Sequence, residues 1–254
     1  MDISVVVNTY NEADKLGDCL SSVKEWVSEI VIVDMGSTDK TIDIAKRFHA
    51  KIYNHPHLSY VEPARNFAVN KAHGDWILVL DPDERIPAKL AEKLKNIARE
   101  DIYEAVNIAR KNIIFGKWIK HSNWWPDKHV RFFKKGSVSW NKEIHLYPKV
   151  KGLVLNLVSD SQLAIEHLNY ENVNQFLERQ NRYTEVSVNN RYSNGERFSW
   201  LTFFGNPIKV FLQRYLRHAG FLDGFWGLSL ALLTVYSQIG EEVKLWEKEN
   251  IKSS

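Results

Sequence analysis

Cysteine is almost absent from this chain, with Cys19 as the one thiol in 254 residues. A single thiol cannot form an intrachain disulfide, so the sequence excludes a disulfide-stapled secreted domain and favours a reducing compartment. The first residues, Met-Asp-Ile-Ser-Val-Val-Val, also lack the basic region and cleavage site of a signal peptide. Both absences predict a cytoplasmic protein.

Membrane-spanning segments and glycine-rich nucleotide motifs are missing as well. The uncharged segment Phe225–Ile239 is shorter than the ~20 residues that cross a bilayer, and Asp223 lies just before it, so we predict that it does not span. Neither G-x-G-x-x-G nor G-x-x-x-x-G-K-[ST] occurs, which excludes a dinucleotide fingerprint and a P-loop. No nucleic-acid-binding motif is present, so we expect no nucleic-acid partner.

Basic charge, by contrast, is concentrated in one part of the chain. The formal net charge is only +3, but the window from Arg110 to Lys151 holds eleven Lys or Arg against two acids, Asp127 and Glu143. Such a window favours a polyanionic partner, for example a phosphorylated lipid, an acidic glycan or a membrane surface. The alternative is a solvated basic face without a partner.

Short apolar runs alternate with helical patterns over the first hundred residues. Strands are predicted at Ile3–Val7, Ile30–Val33, Lys51–Asn54 and Trp76–Leu80. Helices are predicted after Asn11, which can cap the first of them, at about Thr41–His49, and after Pro63. Continuous apolar strands that alternate with helices are typical of a parallel sheet covered on both faces.

Polar residues collect where these strands end. They are Thr9, Tyr10, Asn11 and Glu12 after the first strand, Asp34 to Asp39 after the second, and Asp81 to Arg85 after the fourth. Because ligands of such sheets bind at the carboxyl ends of the strands, we expect one site on this rim. Asp81 and Asp83 repel each other unless a cation or a helix N-terminus relieves them. By itself the pair has a simpler interpretation, in which Asp83 caps a helix that begins near Pro87.

Four segments carry a specific combination of motifs. They are Val6–Glu12, Ile30–Asp39, Ala64–Ala68 and Gly74–Glu84, the last of which contains Asp-Pro-Asp. In this order and at these spacings they resemble family 2 of the glycosyltransferases, over roughly residues 3 to 150. The resemblance implies an α/β protein with an A-type glycosyltransferase fold: a Rossmann-like, mostly parallel sheet with helices on both faces, plus a helical C-terminal extension. It also implies a nucleotide-sugar donor and inversion at the anomeric carbon.

The resemblance further implies a donor site, residue by residue. The residues implied to bind the nucleotide sugar are Thr9, Tyr10, Glu12, Asp34, Ser37, Arg65, Asp81, Pro82 and Asp83. Thr9 and Glu12 would line the nucleoside pocket, and Asp34 would accept a hydrogen bond from a uracil ring. Asp81 and Asp83 would hold Mn²⁺ or Mg²⁺ on the diphosphate, with Asp83 as the more direct ligand.

Asp127 is the residue that the resemblance implies as the catalytic base, with Glu143 and His145 as reserve candidates. Asp127 follows the segment Trp124–Pro126, and burial there would raise its pKa toward a useful value. The alternative is a turn aspartate paired with a neighbouring basic residue. His167 lies where some related transferases bring a late polar residue back to the site.

Within the family, the chain looks most similar to bacterial lipopolysaccharide inner-core β-glucosyltransferases. The supporting segments are Asn112–Ile119, Trp125–Asp127, Arg131–Lys135 and Gly220–Gly224. This branch implies a UDP-sugar, UDP-glucose first, and a lipid-linked anionic glycan acceptor at the cytoplasmic face of the inner membrane. The chain has His145-Leu146 where the branch commonly has His-Glu, so the role of that glutamate does not transfer. A capsule or other envelope-polysaccharide transferase, and a non-catalytic sugar-nucleotide or membrane-binding protein, remain alternatives.

The C-terminal third is rich in aromatic residues. We assign residues 1–165 to the catalytic domain and 166–254 to a helical region. Within this region a helix is predicted to begin at Asn206 and Pro207 and to end at Gly220, with Lys209 and Arg217 outside its apolar stripe. Such a basic amphipathic helix either packs on the catalytic sheet or attaches the protein peripherally to the inner leaflet.

Overall fold

The computed structural model describes residues 1–57, 62–140 and 148–251. The chain divides into two compact units, which are described separately. The first unit contains Met1–Lys111 and Asp127–His167, and the second contains Asn112–Pro126 and Leu168–Ser254.

Strands and helices alternate along the first part of the chain, and short strands follow. The elements are β1 (Ile3–Thr9), α1 (Ala13–Ser21), β2 (Glu29–Asp34), α2 (Thr41–Arg47), β3 (Lys51–Asn54), α3 (Glu62–Lys71), β4 (Trp76–Leu80), β5 (Glu84–Arg85), α4 (Ala88–Glu100), β6 (Ala105–Ile114), β7 (Lys117–Trp118), β8 (Asp127–Lys134), β9 (Val138–Ser139), β10 (Lys149–Val150), β11 (Val154–Asn156) and β12 (Ile165–Tyr170). The four strands predicted from apolar runs are confirmed, two of them residue for residue and two with one or two more residues at their ends.

The sheet has a parallel half and an antiparallel half. Its strand order is β3-β2-β1-β4-β8-β6-β12-β5. The pairs β3/β2, β2/β1 and β1/β4 are parallel, whereas β4/β8, β8/β6 and β12/β5 are antiparallel. The antiparallel strands bring residues from much later in the chain beside the end of β4.

Alternate residues of the central strands enter two different cores. Val5, Val7 and Leu78 pack with α1 and α4, while Val6 and Val79 pack with α3. Successive side chains of a strand point to opposite faces, so a strand covered on both sides needs an unbroken apolar run. The predicted α/β sheet with helices on both faces is confirmed.

The first helix starts differently from its prediction. We expected Asn11 to cap α1, but α1 begins at Ala13, with Glu12 in the cap position and no side-chain capping bond. The prediction is wrong because the Asn11 side chain bonds elsewhere: its Oδ1 accepts from the Thr38 N–H at 2.8 Å. Asn11 thereby ties the end of β1 to the loop after β2.

The second unit is mainly helical. Its helices are α5 (Val173–Ser193), α6 (Trp200–Phe211), a π-helical segment Leu212–Arg217, a 3₁₀ turn Gly220–Asp223 and α7 (Phe225–Asn250). The prediction that a helix begins at Asn206 and Pro207 is wrong. Ser199 caps α6 instead, since its side-chain oxygen accepts from the Leu201 N–H, and Pro207 lies inside the helix.

One face of α6 is fixed on α7. Thr202 Oγ1 donates to Glu242 Oε2 at 3.1 Å, and Asn206 Nδ2 donates to Glu242 Oε1 at 3.2 Å. Glu242 is fully buried, and Arg191 of α5 lies 3.0 Å from its Oε1. Among the described residues, no helix combines the length and apolar character that a membrane span requires.

Candidate active site

The ends of β1 and β2 hold a buried carboxylate, Asp34, among four hydrogen-bond donors. Thr9 Oγ1 donates to Asp34 Oδ1 at 3.2 Å, and Ser37 Oγ donates to the same oxygen at 2.5 Å. Oδ2 accepts from the N–H groups of Gly36 at 3.0 Å and Ser37 at 2.9 Å. The parallel register sets Thr9 beside Asp34. Three residues predicted to bind the nucleotide sugar, Thr9, Asp34 and Ser37, therefore lie in contact.

The loop after β2 is tied to the segment after β1. The Asn11 N–H donates to Ser37 Oγ at 2.9 Å, and the Glu12 N–H donates to Thr41 Oγ1 at 2.8 Å. Asp39 accepts from the Thr41 N–H at 2.9 Å. These bonds fix the backbone that supplies the donors to Asp34.

Tyr10 is the exposed aromatic residue at this end of β1. It is 42% exposed, and its ring centroid lies 4.2 Å from that of His57. An exposed aromatic ring beside a buried polar group offers a stacking surface for a planar base. The contact also gives the His-Pro-His segment a packing partner.

Asp81 lies directly after β4, between two arginines. Its Oδ1 accepts from Arg65 Nη2 at 2.8 Å, and its Oδ2 accepts from Arg131 Nη2 at 2.5 Å. Burial opposes ionisation of Asp81, but the charges of Arg131 and Arg65 outweigh it and hold the pKa of this carboxyl well below its usual range. Asp81 is therefore ionised, and protein cations relieve part of the repulsion from Asp83.

Asp83 faces a histidine instead. His167 lies in β12, opposite Glu84 of β5, and its Nε2 is 3.5 Å from Asp83 Oδ2. Both side chains are largely buried. The carbonyl of Pro82 accepts from Arg85 Nη1 at 2.7 Å, which braces the turn between the acids. The two acids of Asp-Pro-Asp therefore have different partners.

Glu84 joins the acidic turn to β8 and is fully buried. Its Oε1 lies 2.8 Å from Arg131 Nη2 and 3.6 Å from Arg110 Nη1. Its Oε2 accepts from the Asp81 N–H at 3.0 Å. Because a buried carboxylate is costly without a cation, Arg131 is the group that makes this arrangement stable.

Arg131 still has donors available. The side chain is 3% exposed and uses Nη2 for both Asp81 and Glu84. Within the described part of the chain, its Nε and Nη1 are buried without a hydrogen-bond partner, and so is Arg65 Nε. Guanidinium N–H groups match phosphate oxygens well. The site therefore has cationic donors beside Asp81 that suit a phosphate.

Asp127 opens β8 and is held from two sides. Arg110 donates to its Oδ2 through Nε at 2.9 Å and Nη2 at 2.6 Å, and His129 Nε2 lies 2.8 Å from its Oδ1. Burial opposes ionisation, but the contact with His129 and the charge of Arg110 lower the pKa of Asp127 well below its ordinary value. The prediction that the pKa of Asp127 is raised toward a useful value is wrong, because these contacts outweigh burial. The reserve candidates Glu143 and His145 lie outside the described residues.

His129 forms a carboxylate–imidazole pair with Asp127. Burial and the charge of Arg110 lower the pKa of His129 despite the contact with Asp127, so the ring is neutral at neutral pH. An ionised carboxylate only accepts hydrogen bonds, so Nε2 of His129 carries the proton and Nδ1 is the unprotonated nitrogen, which can accept one. This pair contains a second possible proton acceptor.

Sequence reasoning assigned no role to Glu84, Arg110 or His129. Strand periodicity offered one signal, since Asp127 and His129 are two residues apart in β8 and share a face of the sheet, opposite Arg110 and Ile108 of β6. No comparable signal marked Arg110, because its partner arrives from another strand.

The predicted cation needs a donor set of hard oxygens with room for substrate phosphates. In the described ranges, no group of three or more His, Cys, Asp or Glu side chains is arranged to hold a metal ion. Asp81 is bound by arginines, whereas Asp83 Oδ2 and His167 Nε2 are 3.5 Å apart. Neighbouring ligands of an octahedral ion are about 3 Å apart. Asp83 and His167 therefore suit a cation that takes its other ligands from a diphosphate and water.

The chain matches a family model and several curated proteins. The model described as Glycosyl transferase family 2 matches residues 4–154. An uncharacterized glycosyltransferase of Rickettsia typhi is 26% identical over 96% of this chain and 87% of its own length. The lipopolysaccharide core biosynthesis glycosyltransferase LpsC of Rhizobium meliloti is 25% identical over 100% of this chain and 95% of its own length.

A solved structure shares the fold. The crystal structure of S. aureus TarS 1–349 in complex with UDP aligns over 98% of this chain and 91% of that chain, with a TM-score of 0.53 and 17% identity. At this identity the likeness concerns the fold alone, and it agrees with the mixed α/β sheet followed by C-terminal helices.

Proposed function

Because the chain belongs to glycosyl transferase family 2, we propose that it transfers a hexose, glucose first, from a UDP-sugar to a lipopolysaccharide inner-core acceptor with inversion. The observation that carries the proposal is the rim of the sheet. There a buried Asp34 ringed by donors ends β2, and an arginine-bound Asp81 and Asp83 follow β4, with Asp83 facing His167 of β12. We assign this chemistry to residues 1–165 together with His167, and a supporting role to the rest of 166–254.

The donor nucleotide is bound by the segments after β1 and β2. Thr9, Glu12 and Asp34 surround the nucleoside, Tyr10 stacks on its base, and Ser37 keeps Asp34 oriented. The Asp34 carboxylate already accepts four hydrogen bonds, so a uracil N–H takes the place of the longest of them, from Thr9. The UDP in the TarS structure supports this donor class.

The diphosphate lies beside the Asp-Pro-Asp turn. Asp83 and His167 would hold Mn²⁺ or Mg²⁺, and Asp81 and Pro82 keep the turn in shape. When bound, such an ion supplies Lewis-acid stabilisation of the leaving diphosphate. The free N–H groups of Arg131 and Arg65 neutralise charge on the same phosphates.

The acceptor hydroxyl must lose a proton as it attacks. Asp127 is our first choice as the base, because the resemblance places it there and it is ionised at neutral pH. Its low pKa makes it a weak base, however, and the paired His129 is the alternative acceptor, with Asp127 orienting the ring.

Two observations support the proposed acceptor: the basic window of the sequence and the name of one relative. The basic window Arg110–Lys151 suits the phosphates and acidic sugars of a lipid-linked core. The curated name of LpsC supports a lipopolysaccharide core acceptor. A capsule or other envelope polysaccharide is the alternative acceptor within the same chemistry.

The function is tested by incubating the purified chain and Mn²⁺ with UDP-glucose and other nucleotide sugars, with and without truncated lipopolysaccharide core. We expect UDP release with UDP-glucose, stimulated by the core, and a β-linked product by NMR. Release of UDP without any transfer to core would support the capsule alternative. No release from any nucleotide sugar would support a non-catalytic binding protein.

The pH dependence of turnover tests the role of Asp127. Replacing Arg110 with Met removes the cation that stabilises the Asp127 carboxylate, so the pKa of Asp127 rises and an acid limb moves to higher pH. We expect kcat of R110M to fall below about pH 5, where the wild type still turns over. The control is K128M, since Lys128 precedes His129 but bonds to the Leu157 carbonyl.

The same profiles separate the two candidate bases. If the R110M and wild-type profiles superimpose, Asp127 is not the titrating base. An acid limb that is present in the wild type and lost in H129Q would assign the base to His129.

A further inference from the structure

A ridge of exposed apolar side chains runs along α6 and the π-helical segment after it. Its members recur at four-residue intervals: Trp200, Phe204, Ile208, Leu212 and Leu216. Trp200 and Phe204 are 67% and 60% exposed, and their rings stack with centroids 6.1 Å apart. Residues four apart lie on adjacent turns of a helix, so the members of this α6 ridge follow one another along α6 and the π-helical segment.

The opposite side of α6 determines which face is exposed. Thr202 and Asn206 bond to the buried Glu242 of α7, and Pro207 is itself buried. These contacts keep α6 from rotating its aromatic residues inward. The ridge is therefore a stable surface feature of the second unit.

Within α6 and the segment after it, as far as Leu222, the charge has one sign. No acidic residue occurs from Ser199 to Leu222, while Lys209 and Arg217 are exposed. Asp223, the next acid, is 6% exposed and accepts from the His121 N–H at 2.8 Å. The carboxylate of Asp223 is therefore buried and hydrogen-bonded within the second unit, and it does not neutralise the exposed Lys209 and Arg217.

The exposed apolar residues and the exposed cations together indicate which kind of partner the ridge binds. A symmetric contact through this ridge would bring together two surfaces that carry the same exposed cations and no acid of α6 to compensate them, which is unfavourable. A helix with aromatic and aliphatic residues on one face and cations at its edge suits the boundary between lipid headgroups and acyl chains. Anionic phospholipids complement Lys209 and Arg217.

We propose that the α6 ridge binds the surface of a bilayer that contains anionic phospholipid, with Trp200 and Phe204 inserted among the headgroups. The ridge lies flat and does not cross the bilayer. This proposal rests on the second unit and goes beyond the proposed transferase function.

The test is co-sedimentation of the full chain with vesicles of phosphatidylethanolamine and phosphatidylglycerol. W200A/F204A should lower the partition coefficient about 100-fold, since two large apolar side chains no longer enter the bilayer. K209Q/R217Q should lower it roughly 30-fold at low salt. The control Y236A/W246A removes two exposed aromatic residues of α7 and should bind like the wild type.

Two further measurements distinguish a loss of vesicle binding from misfolding and from a loss of donor-site activity. All variants should keep the wild-type thermal midpoint and the wild-type rate of UDP-sugar hydrolysis in the absence of vesicles. Wild-type binding to phosphatidylglycerol vesicles that equals its binding to phosphatidylcholine vesicles would overturn the proposal. So would equal losses in Y236A/W246A and W200A/F204A, or a wild-type dimer in sedimentation velocity that W200A/F204A dissociates.

Discussion

Replacing Arg131 with Met is expected to lower the free energy of unfolding by about 3–5 kcal/mol, the usual result when one partner of a buried ion pair is removed. Arg131 is 3% exposed and neutralises Glu84, which is fully buried, at 2.8 Å. Arg110 lies 3.6 Å from the same carboxylate and is already engaged with Asp127. R131M therefore leaves Glu84 charged, buried and poorly compensated.

Urea unfolding followed by circular dichroism measures this effect. The double variant E84M/R131M should recover most of the lost stability, because apolar residues of similar volume often replace a buried ion pair without cost. The control K24M removes one partner of the exposed pair Lys24–Glu25, 3.5 Å apart, and should change stability by less than about 1 kcal/mol. An R131M variant as stable as K24M would show that the buried cluster is not held by its charges.

Replacing Asp83 with Asn is expected to lower kcat for sugar transfer by about 10³-fold, since loss of Lewis-acid help to the leaving group is worth several kcal/mol. Asp83 Oδ2 faces His167 Nε2, so the amide weakens a cation site without removing bulk. The loss should persist at saturating Mn²⁺ and saturating donor. H167Q should show a smaller loss that excess Mn²⁺ partly restores.

Asp75 provides a matched control for this substitution. It lies at the opposite end of β4 and accepts a backbone bond from Asp2 at 3.1 Å. D75N should retain wild-type kcat. Loss of activity in D75N comparable to that in D83N, or unchanged kcat in D83N, would remove Asp83 from the reaction.

The parallel half of the fold was predictable because its signals are local. The strands β1, β2 and β4 are apolar runs, and the polar residues that end these three strands mark the rim of the sheet. The same rule selects Thr9, Asp34 and Asp83 as candidate site residues, whose roles stay predictions. Whether a segment forms a strand or a helix depends mainly on a short window of sequence, which is why the strands and helices predicted for this half are confirmed.

The charge network was not predictable because its partners are distant in sequence. Arg131 bonds to Asp81 across 50 residues and to Glu84 across 47. Only the antiparallel pairing of β8 with β4 brings them together, and no local pattern specifies that pairing. The wrong pKa direction for Asp127 has the same origin, since burial was inferred from neighbouring aromatic residues while Arg110 came from β6.

At the start of α6, a local sequence signal led to a wrong prediction of where the helix begins. Asn followed by Pro is a favourable start for a helix, but Ser199 supplies an earlier cap, and the aromatic run after it already has helical periodicity. Contacts of Thr202 and Asn206 with Glu242 then favour the longer helix. Tertiary packing thus outweighed the cap preference.

Calorimetric titration of the full chain with UDP, in Mn²⁺ and in EDTA, tests the central claim most directly: that the turn after β4 binds a nucleoside diphosphate together with a divalent cation. We predict that UDP binds at least roughly tenfold more tightly in Mn²⁺, a difference of about 1.4 kcal/mol, and that D83N abolishes this difference. Equal UDP affinity in Mn²⁺ and EDTA, or a Mn²⁺ effect that survives in D83N, would contradict the account.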